Sequence, residues 1–289
     1  MSNIDVSYCP RVAFVILLQV NNANPNGDPL QGNMPRTTMD GYGKMTAVCI
    51  KRKIRDRLQE MGQPIYIVSD SRADDGYKSI NSRIAGNHAI AEAIKQRDKD
   101  AVSSALLDSY IDARAFGGVI AGFKSKKGDG LSIGIRGAVS ICDAISVCPV
   151  MITEDQITKS VNQEGDTGEM SSDRFGTRYT VDHGLYVIKG TVNPYFAERN
   201  RFTKEDWENV RQALINLCDN DESSARPAGS MAVRKAIFWH GDMTNNGISR
   251  LFDSVKIRVK EGVSLPAAYS DYDVTIDSLE GITPEVIDM

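Results

Sequence analysis

The residues best suited to binding chemistry lie in one polar segment, residues 21–36. It reads Asn-Asn-Ala-Asn-Pro-Asn-Gly-Asp-Pro-Leu-Gln-Gly-Asn-Met-Pro-Arg. Asn, Gly and Pro at this density fix turns and leave amides and carbonyls unpaired within the loop. Gly27 and Gly32 lack a Cβ, so another backbone can approach them closely. A phosphodiester chain is the ligand that best uses such a surface.

A basic helix is predicted directly after this loop. Between residues 44 and 61, apolar residues recur at helical spacing and define one buried stripe: Ala47, Ile50, Ile54, Leu58 and Met61. Lys51 and Arg55 lie on one shoulder of this stripe, with Arg52 beyond them. A solvated charged face is the structural alternative. Because the loop upstream offers backbone donors and ends in Arg36, we expect these cations to contact phosphates.

A glycine pair marks a second possible contact with a phosphate backbone. Residues 112–118 read Asp-Ala-Arg-Ala-Phe-Gly-Gly and end a predicted helix. One interpretation of Gly117 and Gly118 is a helix C-cap and a tight turn. The other is that these glycines let an RNA backbone pass closely, while Arg114 and the lysines after it supply charge.

Residues 151–180 predict an extended hairpin or projecting loop with a long polar middle, residues 162–173. Met170 and Phe175 lie in or beside that polar stretch, where large apolar groups gain nothing from solvent. They could dock on the same subunit or on a neighbour. The sharper hypothesis is that the tip of the projection inserts between bases and interrupts their stacking.

The sequence predicts no catalytic centre. Asp28 and the other candidate carboxylates lie mostly in turns, where Asp is favoured locally, whereas metal-dependent hydrolysis needs converging carboxylates. No Ser-His-Asp, Walker-type or dinucleotide-binding pattern occurs. The three histidines are far apart, and the five cysteines form no CxxC pair. We therefore expect no metal site, no cofactor and buried thiols instead of disulfides.

Composition indicates an ordinary globular protein. The chain has 289 residues, of which 41% are hydrophobic, and no apolar run of about 18 residues predicts a membrane span. The N-terminus lacks the features of a secretory signal, so a cytoplasmic protein without membrane contact is expected. The net charge is −4, but residues 261–289 contain seven acids and no Lys or Arg, which leaves +3 on residues 1–260. The acidity is therefore concentrated at one end.

The predicted elements suit a single elaborated α+β domain of ferredoxin-like type. In chain order they begin with a strand (12–20), the basic helix (44–61), a short strand (64–68) and an insertion with two helical patterns (about 87–99 and 101–112). A β-rich block (131–150), the projection (151–180), a strand (179–192), a second helix that begins at Thr203 and two further strands (about 233–240 and 253–259) follow.

These motifs together closely resemble the backbone subunit of type I CRISPR Cascade complexes, of the RAMP superfamily, with subtype I-C fitting best. The most specific part of the resemblance is the Asn-Pro-Asn-Gly-Asp-Pro run at residues 24–29 with the Gly-Asn-Met-Pro-Arg run at 32–36, followed by the basic helix. Weaker matches follow in the expected order at residues 112–118, 135–140, 182–186, 190–194 and 223–227.

The resemblance implies a palm of RNA-recognition-motif (RRM) type, about residues 11–68, 131–150 and 181–260. It further implies helical fingers at about 69–130 and a projecting β-hairpin thumb at about 151–180, whereas the acidic C-terminal segment, 261–289, has no assigned role. Copies would stack head to tail along a CRISPR RNA beside other Cascade subunits. Each thumb would displace a base at regular intervals, leaving the remaining bases to pair with target DNA.

Carried onto this chain, the resemblance implies RNA contacts from the loop, the basic helix, the glycine pair and the thumb tip. These residues are Asn24, Asn26, Gly27, Arg36, Lys51, Arg52, Arg55, Arg114, Gly117, Gly118 and Met170. The expected function is that of a noncatalytic scaffold. One alternative is a metal-dependent RNA endonuclease of type III CRISPR complexes that would use Asp28. Another is a sheet-based housekeeping RNA-binding protein that would be a monomer.

Overall fold

A computed structural model describes residues 8–124, 130–158, 175–243 and 245–289. Its centre is an eight-stranded antiparallel sheet in which the first strand, Val12–Ala23, lies between two long partners. Ile16, for example, lies opposite Ile188 on one side and Ala236 on the other. This position explains the apolar run of residues 12–20, because both faces of a central strand are covered.

The strands among the described residues are β1 (Val12–Ala23), β2 (Gly27–Asp28), β3 (Met34–Pro35), β4 (Tyr42–Met45), β5 (Gly117–Lys124), β6 (Gly130–Arg136), β7 (Val139–Ile141), β8 (Ala144–Pro149), β9 (Ile152–Thr158), β10 (Phe175–Val192), β11 (Met231–His240), β12 (Val255–Val259), β13 (Tyr272–Ile276) and β14 (Glu285–Asp288). The main sheet has the order β14-β11-β1-β10-β8-β4, and β7 and β9 also pair with β10.

The α-helices in the described parts of the chain are α1 (Ala47–Glu60), α2 (Ile80–Gly86), α3 (His88–Gln96), α4 (Lys99–Ser109), α5 (Ile111–Phe116), α6 (Pro194–Asn200), α7 (Lys204–Ile215) and α8 (Gly247–Ser254). The predicted basic helix and the helix capped by Thr203 are confirmed as α1 and α7. Together with the sheet they form a mixed fold of helices and strands.

Alternate residues of β1 enter two different cores. Phe14 and its neighbours on one face pack beneath α1 and α7, where the Phe14 and Trp207 ring centroids are 5.9 Å apart. Val15 and its neighbours on the other face pack with Trp239 and Tyr272 beneath α8, β12 and β13. Burial on both faces makes β1 a rigid support for the loop that follows it.

The insertion has a core of its own, formed by α2 to α5 with the β5–β6 hairpin. The helical patterns predicted at about 87–99 and 101–112 are confirmed as α3 and α4. The strand predicted at residues 64–68 is wrong. The Asp112 carboxylate accepts the backbone N–H groups of Tyr66 at 2.6 Å and Ile67 at 3.2 Å, so a side chain takes the place of a partner strand.

The two arms of the predicted projection pair as β9 and the first part of β10. Their register runs from Ile152 opposite Val181 to Thr158 opposite Phe175. Residues 159–174, with Met170, lie outside the described residues.

The acidic C-terminal segment closes one edge of the main sheet. Its last strand, β14, pairs with β11. Glu285 forms an ion pair with Arg211, and Asp288 forms one with Lys235. At least part of the unassigned acidity therefore neutralises cations of the chain itself.

Candidate nucleic-acid interface

The polar loop begins with a buried side chain. Asn24 is only 3% exposed, and its Nδ2 donates to the carbonyl of Asn33 at 2.6 Å. Its backbone N–H donates to the carbonyl of Ala225 at 2.8 Å. Asn24 thus joins the two ends of the loop and fixes the loop to the segment before β11.

Asn26 connects the loop to the basic helix. Its Oδ1 accepts from the backbone N–H of Thr46 at 2.9 Å and from the Thr46 hydroxyl at 3.1 Å. The same hydroxyl oxygen accepts the N–H of Cys49 at 3.2 Å and caps α1. The predicted proximity of loop and basic helix is therefore confirmed, and the Asn26 carboxamide helps to maintain it.

The expectation of unpaired loop amides is wrong in part, because Asn33 donates its N–H to the carbonyl of Asp28 and β2 pairs with β3. A Cβ on Gly27 would lie 2.0 Å from Oδ1 of Asn33, so no side chain fits there. Asp28 Oδ1 accepts the N–H of Leu30 at 3.1 Å, and Asp28 Oδ2 lies 3.0 Å from Nη1 of Arg36. The Arg36 side chain remains 32% exposed, which leaves part of its donor fork open to a ligand.

Among the cations of α1, Lys51 is the one whose positive charge is least neutralised by other groups of the described chain. Its Nζ lies 5.6 Å from the Phe116 ring centroid, and no carboxylate of the described residues lies within 4.0 Å. Burial, and then the nearby Arg55 charge, lower the pKa of Lys51 below its ordinary value. An anion placed beside Lys51 would relieve both effects.

Arg52 and Arg55 already have partners within the chain. Nη2 of Arg52 lies 2.7 Å from Asp56, and its Nη1 donates to the carbonyl of Ile67 at 2.6 Å. Arg55 is more deeply buried, with Nε 2.7 Å from a carboxylate oxygen of Asp112 and Cζ 5.0 Å from the Phe116 ring centroid. Arg55 therefore attaches α1 to the insertion, whereas Arg52 connects α1 to the segment before the insertion.

Arg114 is held by three hydrogen bonds. Its Nε and Nη2 donate to the two carboxylate oxygens of Asp206 at 2.8 and 2.7 Å, and its Nη1 donates to the carbonyl of Leu107 at 2.7 Å. This bidentate pair joins α5 to the first turn of α7. The Arg114 side chain is 17% exposed, so most of its surface is committed to the protein.

The glycine pair is explained by packing. Gly117 caps α5 with φ at +76°, and a Cβ there would lie 2.1 Å from the carbonyl oxygen of Ile135. A Cβ on Gly118 would lie 3.0 Å from the Tyr66 ring. These contacts favour the C-cap interpretation, whereas close passage of RNA remains a prediction.

Three apolar residues that the sequence did not single out are exposed in the loop, just after it and at the start of α1. Leu30 is 95% exposed, Met39 is 105% exposed and Val48 is 78% exposed. Single exposed apolar residues are common on protein surfaces, so a sequence pattern does not distinguish them. Their position beside the loop makes them candidate contacts for the flat faces of bases.

Among the described residues, no group of three or more His, Cys, Asp or Glu side chains is placed to hold a metal ion. No helix there has both the length and the apolar character needed to cross a membrane.

The fold and this surface define an α/β protein in which an amide-rich loop, an exposed arginine and a cationic helix meet. The family model described as "CRISPR-associated protein Cas7" matches residues 10–277, so the chain belongs to the Cas7 family. A "CRISPR-associated protein Cas7" of Haloferax volcanii is 25% identical over 233 residues, which are 76% of this chain and 67% of that protein.

One solved structure agrees with this chain at the level of the fold. A chain of a "CRISPR RNA-guided surveillance complex, pre-nicking" aligns with a TM-score of 0.51 and 14% identity, covering 84% of this chain and 81% of that one. A chain of a "CRISPR RNA-guided surveillance complex" aligns with a TM-score of 0.49 and 13% identity, covering 88% and 78%.

Proposed function

We propose that this protein is a noncatalytic backbone subunit of a type I Cascade complex, of subtype I-C, that holds a CRISPR RNA by its phosphates. Copies stack head to tail along the RNA beside other Cascade subunits in the cytoplasm. The bases that remain accessible pair with target DNA, so sequence is recognised by pairing while the protein recognises backbone and shape.

The observation that supports this proposal best is the uncompensated charge of Lys51 beside a loop that Asn26 fixes to the same helix. Phosphates are commonly held by cations whose charge is not already neutralised within the protein. Membership of the Cas7 family and the fold shared with a chain of a CRISPR RNA-guided surveillance complex agree with this use of the surface.

The proposed RNA-binding residues divide by their internal contacts. Arg36, Lys51 and the backbone around Gly27 contact phosphate directly, and Arg52 adds charge at the margin. A second group orients this surface while contributing to the RNA site: Asn24, Asn26, Arg55, Arg114, Gly117 and Gly118. Met170 is the proposed wedge between bases; it belongs to residues 159–174, which follow β9 and precede β10 in the sequence.

The architecture is proposed to be a ferredoxin-like palm of RRM type with two attachments. The main sheet with α1 and α7 forms the palm. The separate core of α2 to α5 with β5 and β6 forms the fingers, and the β9–β10 hairpin forms the thumb. The resemblance supports this division, and so does the packing of the insertion around its own core.

Electron microscopy of the chain copurified with a guide RNA tests this proposal. We expect a helical arc of repeated subunits whose length follows that of the RNA. A monomer on short RNA would favour the housekeeping alternative and would contradict the proposal.

The endonuclease alternative is not favoured, because both carboxylate oxygens of Asp28 have internal partners, Leu30 and Arg36. Incubating the assembled complex with complementary RNA and Mg²⁺ separates the two functions. We expect the RNA to remain intact. Regularly spaced cuts that disappear in Asp28→Asn would contradict the noncatalytic assignment.

A further inference from the structure

A pocket rich in arginine lies between α4, β6 and α6, formed by elements other than the loop and α1. Its volume is about 340 Å³. The lining includes Ser104 of α4, Arg136 of β6, Phe196 and Arg199 of α6, and Arg201 just after α6. The pocket is large enough to enclose a phosphate group with its adjoining sugar.

Two of the three arginines lack a carboxylate partner. Arg201 lies 2.6 Å from Asp108 and donates to the hydroxyl of Ser104 at 2.8 Å. Arg136 and Arg199 have no carboxylate within 4.0 Å among the described parts of the chain. Among the described residues that line the pocket, Asp100 is the one acid, so positive charge is in excess.

The pocket is rigidly built. Asn200 is 3% exposed, and its Nδ2 donates to the carbonyl of Arg136 at 2.7 Å and to that of Arg114 at 3.3 Å. The Arg136 guanidinium lies over the Phe196 ring with Cζ 4.6 Å from the centroid. Stacking on an aromatic ring orients the planar donor fork of an arginine before a ligand arrives.

An exposed aromatic ring stands beside this cationic pocket. Tyr195 is 63% exposed, and its ring meets Phe196 edge to face with centroids 5.2 Å apart. Single-stranded nucleic acids are bound by such combinations of cations for phosphates and aromatic faces for bases. An acidic peptide would use the arginines but would gain little from the tyrosine face.

We propose that this pocket binds a phosphate group through Arg136 and Arg199, and that a single-stranded nucleic acid supplies the phosphate while its adjoining base stacks on Tyr195. The pocket is formed by elements other than the loop and α1, but it adjoins the glycine pair, because Arg136 lies opposite Gly117 in the β5–β6 pairing. A chain loaded with guide RNA therefore tests whether the pocket takes up a second strand. The inference goes beyond the proposed function and does not depend on it.

The test uses the full chain assembled with its guide RNA. Fluorescence anisotropy measures the binding of a labelled single strand that is not complementary to the guide. We expect Arg136→Ala with Arg199→Ala to weaken binding by about tenfold or more, because two phosphate contacts are lost. Arg250→Ala with Arg258→Ala removes the same charge from exposed positions and should have a smaller effect.

Tyr195→Ala should weaken binding by about fivefold or more, and Tyr195→Trp should preserve it.

Calorimetry with inorganic phosphate distinguishes the source of the ligand. If the double variant loses phosphate binding but still binds the strand normally, the pocket is a site for free phosphate, and the proposal that a nucleic acid supplies the phosphate is overturned. Unchanged binding of both ligands overturns the site. Shorter assemblies with unchanged binding would also overturn it and would mark the pocket as a contact between copies. Guide loading, measured separately, shows whether the proposed function fails independently.

Discussion

The Oδ1 atom of Asn26 accepts hydrogen bonds from both the backbone N–H and the hydroxyl of Thr46, at 2.9 and 3.1 Å. Twenty residues separate these partners in sequence. The contact places an amide-rich loop against the N-terminus of a cationic helix, and it gives the candidate interface a defined shape before any ligand binds. Such preorganisation lowers the entropy cost of binding.

Asn26→Ala should weaken guide-RNA binding and lower stability together. The variant leaves two donors of Thr46 without their acceptor, which costs about 1–3 kcal/mol. Asn26→Asp retains an acceptor at the same position and is the matched control for stability. Chemical denaturation measures the difference. Equal unfolding free energies for Asn26→Ala and the wild type would show that the connection between loop and helix contributes nothing.

Asp112→Ala should be among the most damaging single changes. It removes the buried partner of Arg55 and the acceptor of two backbone N–H groups, and breaking a buried pair costs about 3–5 kcal/mol. Asp108→Ala is the control, because the Asp108–Arg201 pair is exposed and should contribute at most about 1 kcal/mol. Denaturant titration compares the two variants, and similar losses in both would contradict the role given to Asp112.

Gly117→Ala should lower the melting temperature clearly, whereas Gly134→Ala should change it little. Residue 117 has φ at +76° and lies against the Ile135 carbonyl, but a Cβ at residue 134 meets no atom within 4 Å. Scanning calorimetry without RNA measures both variants. A normal melting temperature for Gly117→Ala combined with lost RNA binding would instead favour close passage of the RNA backbone.

Guide binding should weaken as pH rises. The weakening should begin at a lower pH than it would for a contact made by a lysine with the ordinary pKa of 10.5. Burial and Arg55 lower the pKa of Lys51, so its amine loses the positive charge earlier during a rise in pH. Lys51→Arg keeps its charge throughout and should delay the loss. Binding of a guide with 2′-O-methyl groups, which resists alkaline cleavage, can be followed by anisotropy. Superimposable pH profiles for the two proteins would exclude Lys51 as the titrating contact.

The sequence predicts those elements of the fold whose signals are local. The continuous apolar run of β1, the stripe of α1 and the capping residues of α7 each lie within one segment, and all three form as expected. Residues 64–68 have a strand-like composition but bond to Asp112, more than 40 residues away. The strand β14 has only four residues, too few for a clear periodic pattern, and it gains its place by pairing with β11.

The candidate site shows the same difference between local sequence signals and long-range contacts. Loop composition and helix charge are visible in the sequence, and the structure brings them together through Thr46. Sequence alone does not show which cations are already neutralised. Arg55 and Arg114 find carboxylates 57 and 92 residues away, whereas Lys51 does not. Local patterns therefore predict the presence of positive charge, and long-range packing decides where that charge remains available.

The salt dependence of guide-RNA binding tests the central claim most directly, with Lys51→Ala compared against the exposed control Lys256→Ala. Each lost phosphate contact should reduce the slope of log affinity against log salt by roughly 0.7–0.9. We predict this reduction for Lys51→Ala, together with weaker binding at low salt, and an unchanged slope for Lys256→Ala. Identical slopes for Lys51→Ala and the wild type would contradict the assignment of Lys51 and its loop to the RNA backbone.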